Sequence, residues 1–296
     1  MAGTEWRKFC RKVEDLGFAT LFACDHLGDQ VSPVPALAAA AEAATRLRIG
    51  TLVTCNDFRH PVVHAKEIAT LDLLSGGRVE WGIGAGWFAS EYEKAGIEFD
   101  PPSVRVDRMQ EAVAVMKGLF ADGPVTHHGT HYRITALEGG PKPVQRPHPP
   151  LLVGGGGRRM LTFAAREAAI VGVAPSQASR RIGEAPAQET VERATDRQVG
   201  WIREAAGDRL PHLELQMVVW PAIVTSSPDE PARQWSEHLG LEPAQVLASP
   251  HVWMGTIDQI CDSLLECRER WDVSYWVVQA ADVDVVAPVV ARLAGH

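Results

Sequence analysis

The sequence predicts an α/β fold with a parallel sheet, of the (β/α)8 barrel type. Three observations carry this. Apolar strand-like runs alternate with helix-like segments along the whole chain. A length of 296 residues suits such a barrel as a single domain over 1–296. The rival, a doubly wound sheet, favours a G-x-G-x-x-G turn after its first strand, and Gly82-x-Gly84-x-Gly86 breaks that spacing because position 87 is Trp.

The elements follow in order. Glu5 to Leu16 places Trp6, Phe9, Val13 and Leu16 on one helical face, and Gly17 stops it. Ala19 to His26 is a short apolar run ending in polar residues, as a buried parallel strand does. Pro35 to Arg46 is a helix by propensity, opened by Pro. Leu47 to Cys55 is a strand, and Pro61 to Ser75 a second Pro-opened helix closed by Gly76-Gly77. The run "RVEWGIGAG" is the third strand, and Val104 to Phe120 has helical spacing. The alternation is interrupted at about 121–150 by a hairpin, "VTHHGTHYRI", and an extended Pro-rich connection, "PKPVQRPHPP". Then come a strand ending in four glycines (Pro150 to Gly157), a helix (Arg158 to Arg166) and the strand "AAIVGVAP". Ala174 to Glu189 reads as a mobile loop and Thr190 to Ala206 as a long helix. "HLELQMVVW" is a strand, and Pro228 to Leu247 holds two short helices. Thr256 to Trp271 is a helix, "VSYWVVQA" the last strand and Val283 to Leu293 the last helix. Seven strands are visible and the order opens on a helix, so a complete barrel needs one more strand at the front.

Composition narrows the function. Hydrophobic residues make up 46% and charged residues 22%, enough for a large core under a polar surface. The net charge of −8 argues against a nucleic-acid partner. The chain has no run long enough to span a membrane and no signal-peptide core at its start, so a cytoplasmic protein is expected. The five cysteines form no C-x-x-C and read as reduced thiols.

In a barrel the active site lies at the carboxyl ends of the strands. Those ends here are Asp25-His26, Thr54-Cys55-Asn56, Ala85-Gly86-Trp87, Gly154 to Gly157, Ala174-Pro175, Val219-Trp220 and Gln279. Two are glycine-rich. Glycine at a strand end permits close approach, of a phosphate, a flat ring or another element of the fold. The turn Gly154 to Gly157 leads straight into a helix, where free N–H groups suit an anion, and Arg158 and Arg159 follow it. Tight turning alone explains the glycines equally well. Asp25-His26 is the acid–base candidate: an imidazole exchanges protons near neutral pH, and a carboxylate beside it tunes that exchange. His127, His128 and His131 sit in the hairpin without a ligand set, so no metal is expected.

Three stretches together resemble the bacterial luciferase-like monooxygenase superfamily, in the branch of oxidoreductases that use coenzyme F-420, a deazaflavin. They are "DHL" after the first visible strand, the long block from Arg48 to Phe120, and "PLLVGGGGRRMLTFAAREAAIVGVAP". The resemblance implies a luciferase-like (β/α)8 TIM barrel with a flavin or deazaflavin across its carboxyl end. It places the ring near Asp25 and His26. It puts a bulge, often with a non-prolyl cis peptide, at about Leu52-Val53, with Thr54 beside it. It assigns phosphate contacts to Ala85, Gly86 and Trp87 and to Gly154, Gly155 and Gly156, with Arg158 next to them. It further implies a strand upstream of "EWRKFCRKVEDLGF" that is not in this sequence, either because the start lies downstream of the true one or because the strand is lost; loss would open the barrel and expose strand edges. The function expected is hydride transfer between coenzyme F-420 and a small organic substrate, with His26, tuned by Asp25, moving the proton. An FMN-dependent monooxygenase is the alternative, and a cofactor-binding or vestigial protein without turnover is the alternative of another class. Relatives commonly dimerise through early helices, and the small-residue helix "PALAAAAEAAT" offers a face for a homodimer.

Overall fold

The computed structural model describes residues 3–175 and 191–295. Most of the loop expected over Ala174 to Glu189 falls outside the described residues. The chain divides into two compact units, Met1–Asp15 with Ala19–Val153, and Leu16–Phe18 with Gly154–His296.

In the first unit the order is α1 (Gly3–Asp15), β1 (Thr20–Ala23), α2 (Pro33–Ala43), β2 (Arg48–Thr51), β3 (Thr54–Cys55), α3 (Pro61–Ser75), β4 (Val79–Gly84), α4 (Ala89–Ala95) and α5 (Pro102–Phe120). A hairpin of β5 (Pro124–His128) and β6 (Arg133–Glu138) follows, then β7 (Leu151–Gly155), inside which the unit ends. β1 pairs with β2, β2 and β3 with β4, and β4 with β7, all parallel. The helix α3 has the bounds its sequence predicts. Pro61 supplies the fixed φ of a first turn, and Gly76 takes the left-handed conformation that ends it (φ 68°).

The second strand expected from Leu47 to Cys55 is broken in two. Its backbone leaves the ladder after Thr51 and rejoins it at Thr54, and the Leu52–Val53 peptide between is cis. The bulge explains the glycines of β4. A Cβ on Gly82 would lie 1.9 Å from the Thr51 carbonyl oxygen, and one on Gly84 would lie 2.6 Å from a Val53 methyl. The seam is tied by side chains as well: the hydroxyls of Thr51 and Thr54 each donate to the Gly82 carbonyl at 2.7 Å.

His64 on α3 is buried at 1% exposure against Trp81, with its Nε2 unpartnered among the described residues. Burial, helped by the nearby Arg59 charge, lowers its pKa to about 3. The unfolded chain therefore takes up a proton that the folded chain refuses between about pH 6.5 and pH 3, and stability falls as pH falls through that window. His64→Phe is expected to flatten this acid loss, by up to roughly 1.4 kcal/mol per pH unit. Urea titrations of both proteins at pH 7, 6, 5 and 4 check it; parallel pH curves would remove His64 from the account.

In the second unit the order after the end of β7 is α6 (Arg158–Glu167), β8 (Ile170–Val173), α7 (Val191–Ala206), β9 (Glu214–Val218), β10 (Ala222–Val224), α8 (Asp229–Leu239), α9 (Pro243–Leu247), β11 (Trp253–Gly255), α10 (Ile257–Trp271), β12 (Val273–Val277) and α11 (Val283–Leu293). β8 pairs with β9 and β9 with β12, again parallel. The short parallel pair β10–β11 was not expected from the sequence, because three residues are too few to show a period. Thr256 opens α10 with a capping box: its hydroxyl accepts from Gln259 N, and the Gln259 side chain accepts from Thr256 N. No helix among the described residues is long and apolar enough to cross a membrane.

Candidate active site

The carboxyl ends of β1, β3 and β4 bring most of the predicted site residues of the first unit together. His26 stands beyond β1 with its side chain 30% exposed. Its ring lies edge-on to Trp87 (5.9 Å) and Phe88 (6.3 Å), which stack on each other at 5.1 Å. Trp87, Phe88 and Leu27 are all exposed large apolar side chains, so this end of the unit presents an apolar, aromatic surface around one imidazole.

The carboxylate beside His26 is not Asp25. Nδ1 of His26 lies 3.1 Å from both carboxylate oxygens of Glu91, and Leu27 N donates to the same group at 3.2 Å. Asp25 is buried and turned to Arg59, which donates to its two oxygens at 2.6 and 3.2 Å, while Cys55 N donates at 3.0 Å. The adjacency in sequence misleads because successive side chains on an extended backbone point to opposite sides. Asp25 thus anchors the end of β3. A buried pair of this kind is costly to break from one side, because a lone charge remains.

Glu91 lies on α4, an element absent from the expected order. The helix has seven residues and a single buried side chain, Tyr92. Seven residues do not establish a helical period; the signals present are the acidic first turn and Gly96, which closes the helix at φ 69°.

Gly86, the last of the three spaced glycines, also has a structural reason. It sits at φ +76°, and a Cβ there would lie 1.8 Å from the Tyr92 hydroxyl oxygen. Of the three possibilities for these glycines, close approach by another element of the fold holds for Gly82, Gly84 and Gly86 alike. Arg105 donates to the carbonyls of Ala85 and Gly86, so the end of β4 is braced from the helix α5. Thr54 is fully buried and bonded to Gly82 O. Leu52 and Val53 form the cis bulge where the resemblance placed it.

A buried network lies behind this surface. The Tyr92 hydroxyl donates to Asp57 Oδ2 at 3.0 Å and touches Cys55 Sγ at 3.0 Å. Arg108 donates to Asp57 at 2.8 Å and to Asp100 at 2.7 Å. Burial pushes the Cys55 thiol up to about 11, and burial together with Cys55 and the Asp57 carboxylate pushes the Tyr92 phenol up, so both stay protonated at neutral pH. The hairpin is tied in as well. Asn56 donates to the Tyr132 hydroxyl at 3.2 Å. Glu111 accepts from the backbone of Thr130, His131 and Tyr132 and pairs with His127 Nε2 at 3.0 Å. Burial alone would raise the Glu111 carboxyl, but the His131 and Tyr132 N–H groups together with His127 outweigh it and hold the pKa below the ordinary value. A carboxylate therefore does stand among the hairpin histidines, as a loop anchor.

In the second unit, Gly154 packs on Gly172, and a Cβ on Gly155 would lie 2.8 Å from Met160 Cβ. Gln198 donates to the carbonyls of Gly156 and Ala174. Gly157 differs: the space at its Cβ position is open, and as the residue before α6 it provides no side-chain cap for the first N–H groups of that helix. The Arg158 guanidinium pairs with Glu204 at 3.2 Å on an exposed face.

Taken unit by unit, these features fit parts of a flavin-type group. The exposed rings of the first unit suit a flat heteroaromatic system. The uncapped start of α6, with no described atom within 4 Å of the Gly157 Cβ position, suits a phosphate.

Comparison with known proteins gives three kinds of match. The family model described as luciferase-like monooxygenase matches residues 2–207. An FMNH(2)-dependent dimethylsulfone monooxygenase of Pseudomonas putida is 29% identical over 154 residues, 52% of this chain and 41% of that protein. An F420-dependent glucose-6-phosphate dehydrogenase of Microbacterium testaceum is 32% identical over 162 residues, 52% of this chain and 47% of that protein. The chain thus spans about half the length of the curated relatives it matches. Among solved structures, the coenzyme F420 dependent tetrahydromethanopterin reductase from Methanopyrus kandleri superposes with a TM-score of 0.75, covering 99% of this chain and 96% of that one at 19% identity. The fold expected from the sequence is the fold observed.

Proposed function

Because the chain belongs to the luciferase-like monooxygenase family, we propose that it is an oxidoreductase moving a hydride between coenzyme F-420 and a small organic substrate. The observation that supports this reading is the half-buried His26 imidazole, held by Glu91 and flanked by Trp87 and Phe88 at the carboxyl ends of parallel strands. When bound, the deazaflavin supplies the hydride donor or acceptor. The chain's own residues do the rest. Leu52, Val53, Ala85, Gly86 and Trp87 are the proposed contacts to the cofactor in the first unit, with Thr54 holding the bulge from below. Gly154, Gly155, Gly156 and the start of α6 at Arg158 are the proposed phosphate-holding turn in the second. His26 gives or takes the substrate's proton at its free ring nitrogen, and Glu91 holds the imidazole from Nδ1. Asp25 has no part in the proton step in this proposal.

A second reading rests on the curated relatives, which include FMNH(2)-dependent monooxygenases as well as F420-dependent dehydrogenases. Fluorescence titration of the purified protein with coenzyme F-420 and, separately, with FMN decides between them. Tight deazaflavin binding with weak FMN binding is expected. The reverse result would move the protein to the oxygen-using flavin enzymes, and binding of neither would leave the vestigial reading.

The partner proposed is a second copy of the chain. Between α2 and α3 lies a groove in which Val34, Ala38, Val63, Leu71 and Leu74 are joined by Thr70 and by the charged Lys66 and Glu67, and Val63 and Leu74 are more than half exposed at 52% and 71%. Light scattering of the purified protein gives its mass in solution and tests this.

A further inference from the structure

The pairing of Glu91 with His26 depends on where α4 sits, and a helix of seven residues does not hold its own position. Its one buried residue is Tyr92, the next residue in the chain after Glu91. Tyr92 is fixed from several directions. Phe58 and Phe99 pack on its ring at 5.3 and 4.8 Å. Its hydroxyl donates to Asp57 and meets the Cys55 thiol, both at 3.0 Å. Asp57 is itself held by Arg108, which Asp100 holds in turn. The hydroxyl reaches this spot because Gly86 has no Cβ to fill it.

We propose that Tyr92 is a positioning residue of the candidate active site: its buried hydroxyl, locked to Asp57 and seated against Gly86, fixes α4 so that Glu91 binds both the His26 ring and the Leu27 backbone. The proposal rests on the reading that Glu91 and His26 act as a pair. It gives the strand-end glycine a second consequence. The residue that makes room for Tyr92 also decides where the Glu91 carboxylate on α4 is delivered. Around Glu91 the groups that set its place are then His26 and Leu27 N on one side and, through Tyr92, the hydrogen-bonded Asp57–Arg108–Asp100 chain on the other.

The test needs no cofactor and no turnover. Leu27 N–H donates to Glu91, so its hydrogen exchange reports the carboxylate's position. The nitrogen chemical shift of His26 Nδ1 reports the other half of the pair. Thr45 N–H, which donates to Glu14, serves as a control elsewhere in the unit. Tyr92→Phe keeps the ring and removes the hydroxyl. Leu27 exchange is expected to accelerate about tenfold after correction for global stability, with Thr45 unchanged, since a buried acceptor loses its donor. The His26 Nδ1 signal is expected to move toward its position in Glu91→Gln. If Glu91→Gln shifts that signal and Tyr92→Phe leaves both probes as in the unaltered protein, the positioning role is overturned and the pair stands. If Glu91→Gln itself changes nothing at His26, the pair is wrong. Asp57→Asn weakens the same link without touching Tyr92, and is read in the same way if Tyr92→Phe does not fold; unchanged probes there overturn the proposal equally.

Discussion

Gly82→Ala is expected to unfold the protein or lower its melting temperature by at least about 8 °C, the effect of a destabilisation above about 4 kcal/mol in a domain of this size. The added methyl would stand 1.9 Å from the Thr51 carbonyl oxygen. That contact cannot be relieved by a side-chain rotation, because the clashing atom is backbone. Nor can the two strands separate cheaply. The Thr51 hydroxyl accepts from Gly82 N at 3.0 Å and donates to Gly82 O at 2.7 Å, and Thr54 donates to the same oxygen at 2.7 Å. Any shift that makes room therefore breaks buried hydrogen bonds, and the overpacking penalty and the unsatisfied groups add. The matching control is Gly200→Ala. Gly200 is exposed within the helix Val191–Ala206 with open space at its Cβ position. There the same substitution is expected to stabilise by about 0.5–1 kcal/mol, by removing backbone freedom from the unfolded chain. Thermal unfolding of the two variants side by side checks both signs. A Gly82→Ala protein that melts like the parent would mean that the β2–β4 seam is not as close as described.

His26→Ala is expected to lower turnover by about 10²- to 10⁴-fold, the usual contribution of a positioned acid or base. The dissociation constant of the coenzyme is expected to change by less than about threefold, because the imidazole acts on the substrate's proton and not on the phosphate-holding turn. Glu91→Gln is expected to fall between the parent and His26→Ala. An amide fills the same space and still accepts a hydrogen bond from Leu27 N, but it cannot hold the ring with a charge. Steady-state kinetics with the coenzyme, together with fluorescence titration, separate the two quantities. Equal losses in binding and in turnover would make His26 a cofactor contact, and intact turnover would remove it from the chemistry. Asp25→Asn is informative in the opposite sense. It acts through the buried Arg59 pair, so its signature is lost stability.

The correct partner of His26 illustrates where local reading stops. Asp25 is adjacent in sequence, and the pairing of an acid with a neighbouring His is the natural reading of "DH". In the folded chain the partner comes from 65 residues away, on a helix of seven residues that carries no readable period. Arg59, which claims Asp25, and Arg108, which claims Asp57, were equally invisible, since a charged residue in sequence does not announce its buried counter-ion. The cis bulge at Leu52–Val53 was reached through resemblance alone; the apolar run Leu47 to Cys55 reads as an unbroken strand.

The sequence by itself determined the order and type of the longer elements, because hydrophobic period, a helix-opening Pro and a helix-closing Gly act over a few residues and need no distant partner; the seven-residue helix Ala89–Ala95, the short pair β10–β11 and the break in the strand Leu47 to Cys55 carry no such signal. It marked the glycine-rich ends of the strands Val79–Gly84 and Leu151–Gly155 as places of either tight turning or close approach, without deciding between the two. What approaches them, and which carboxylate meets the imidazole, only the tertiary structure decided. The Thr51 carbonyl, the Val53 methyls and the Tyr92 hydroxyl reach those glycines by the path of the backbone between them. The geometry of a site is set by which distant segments share a surface, and that is fixed by packing of the whole unit rather than by any stretch of it.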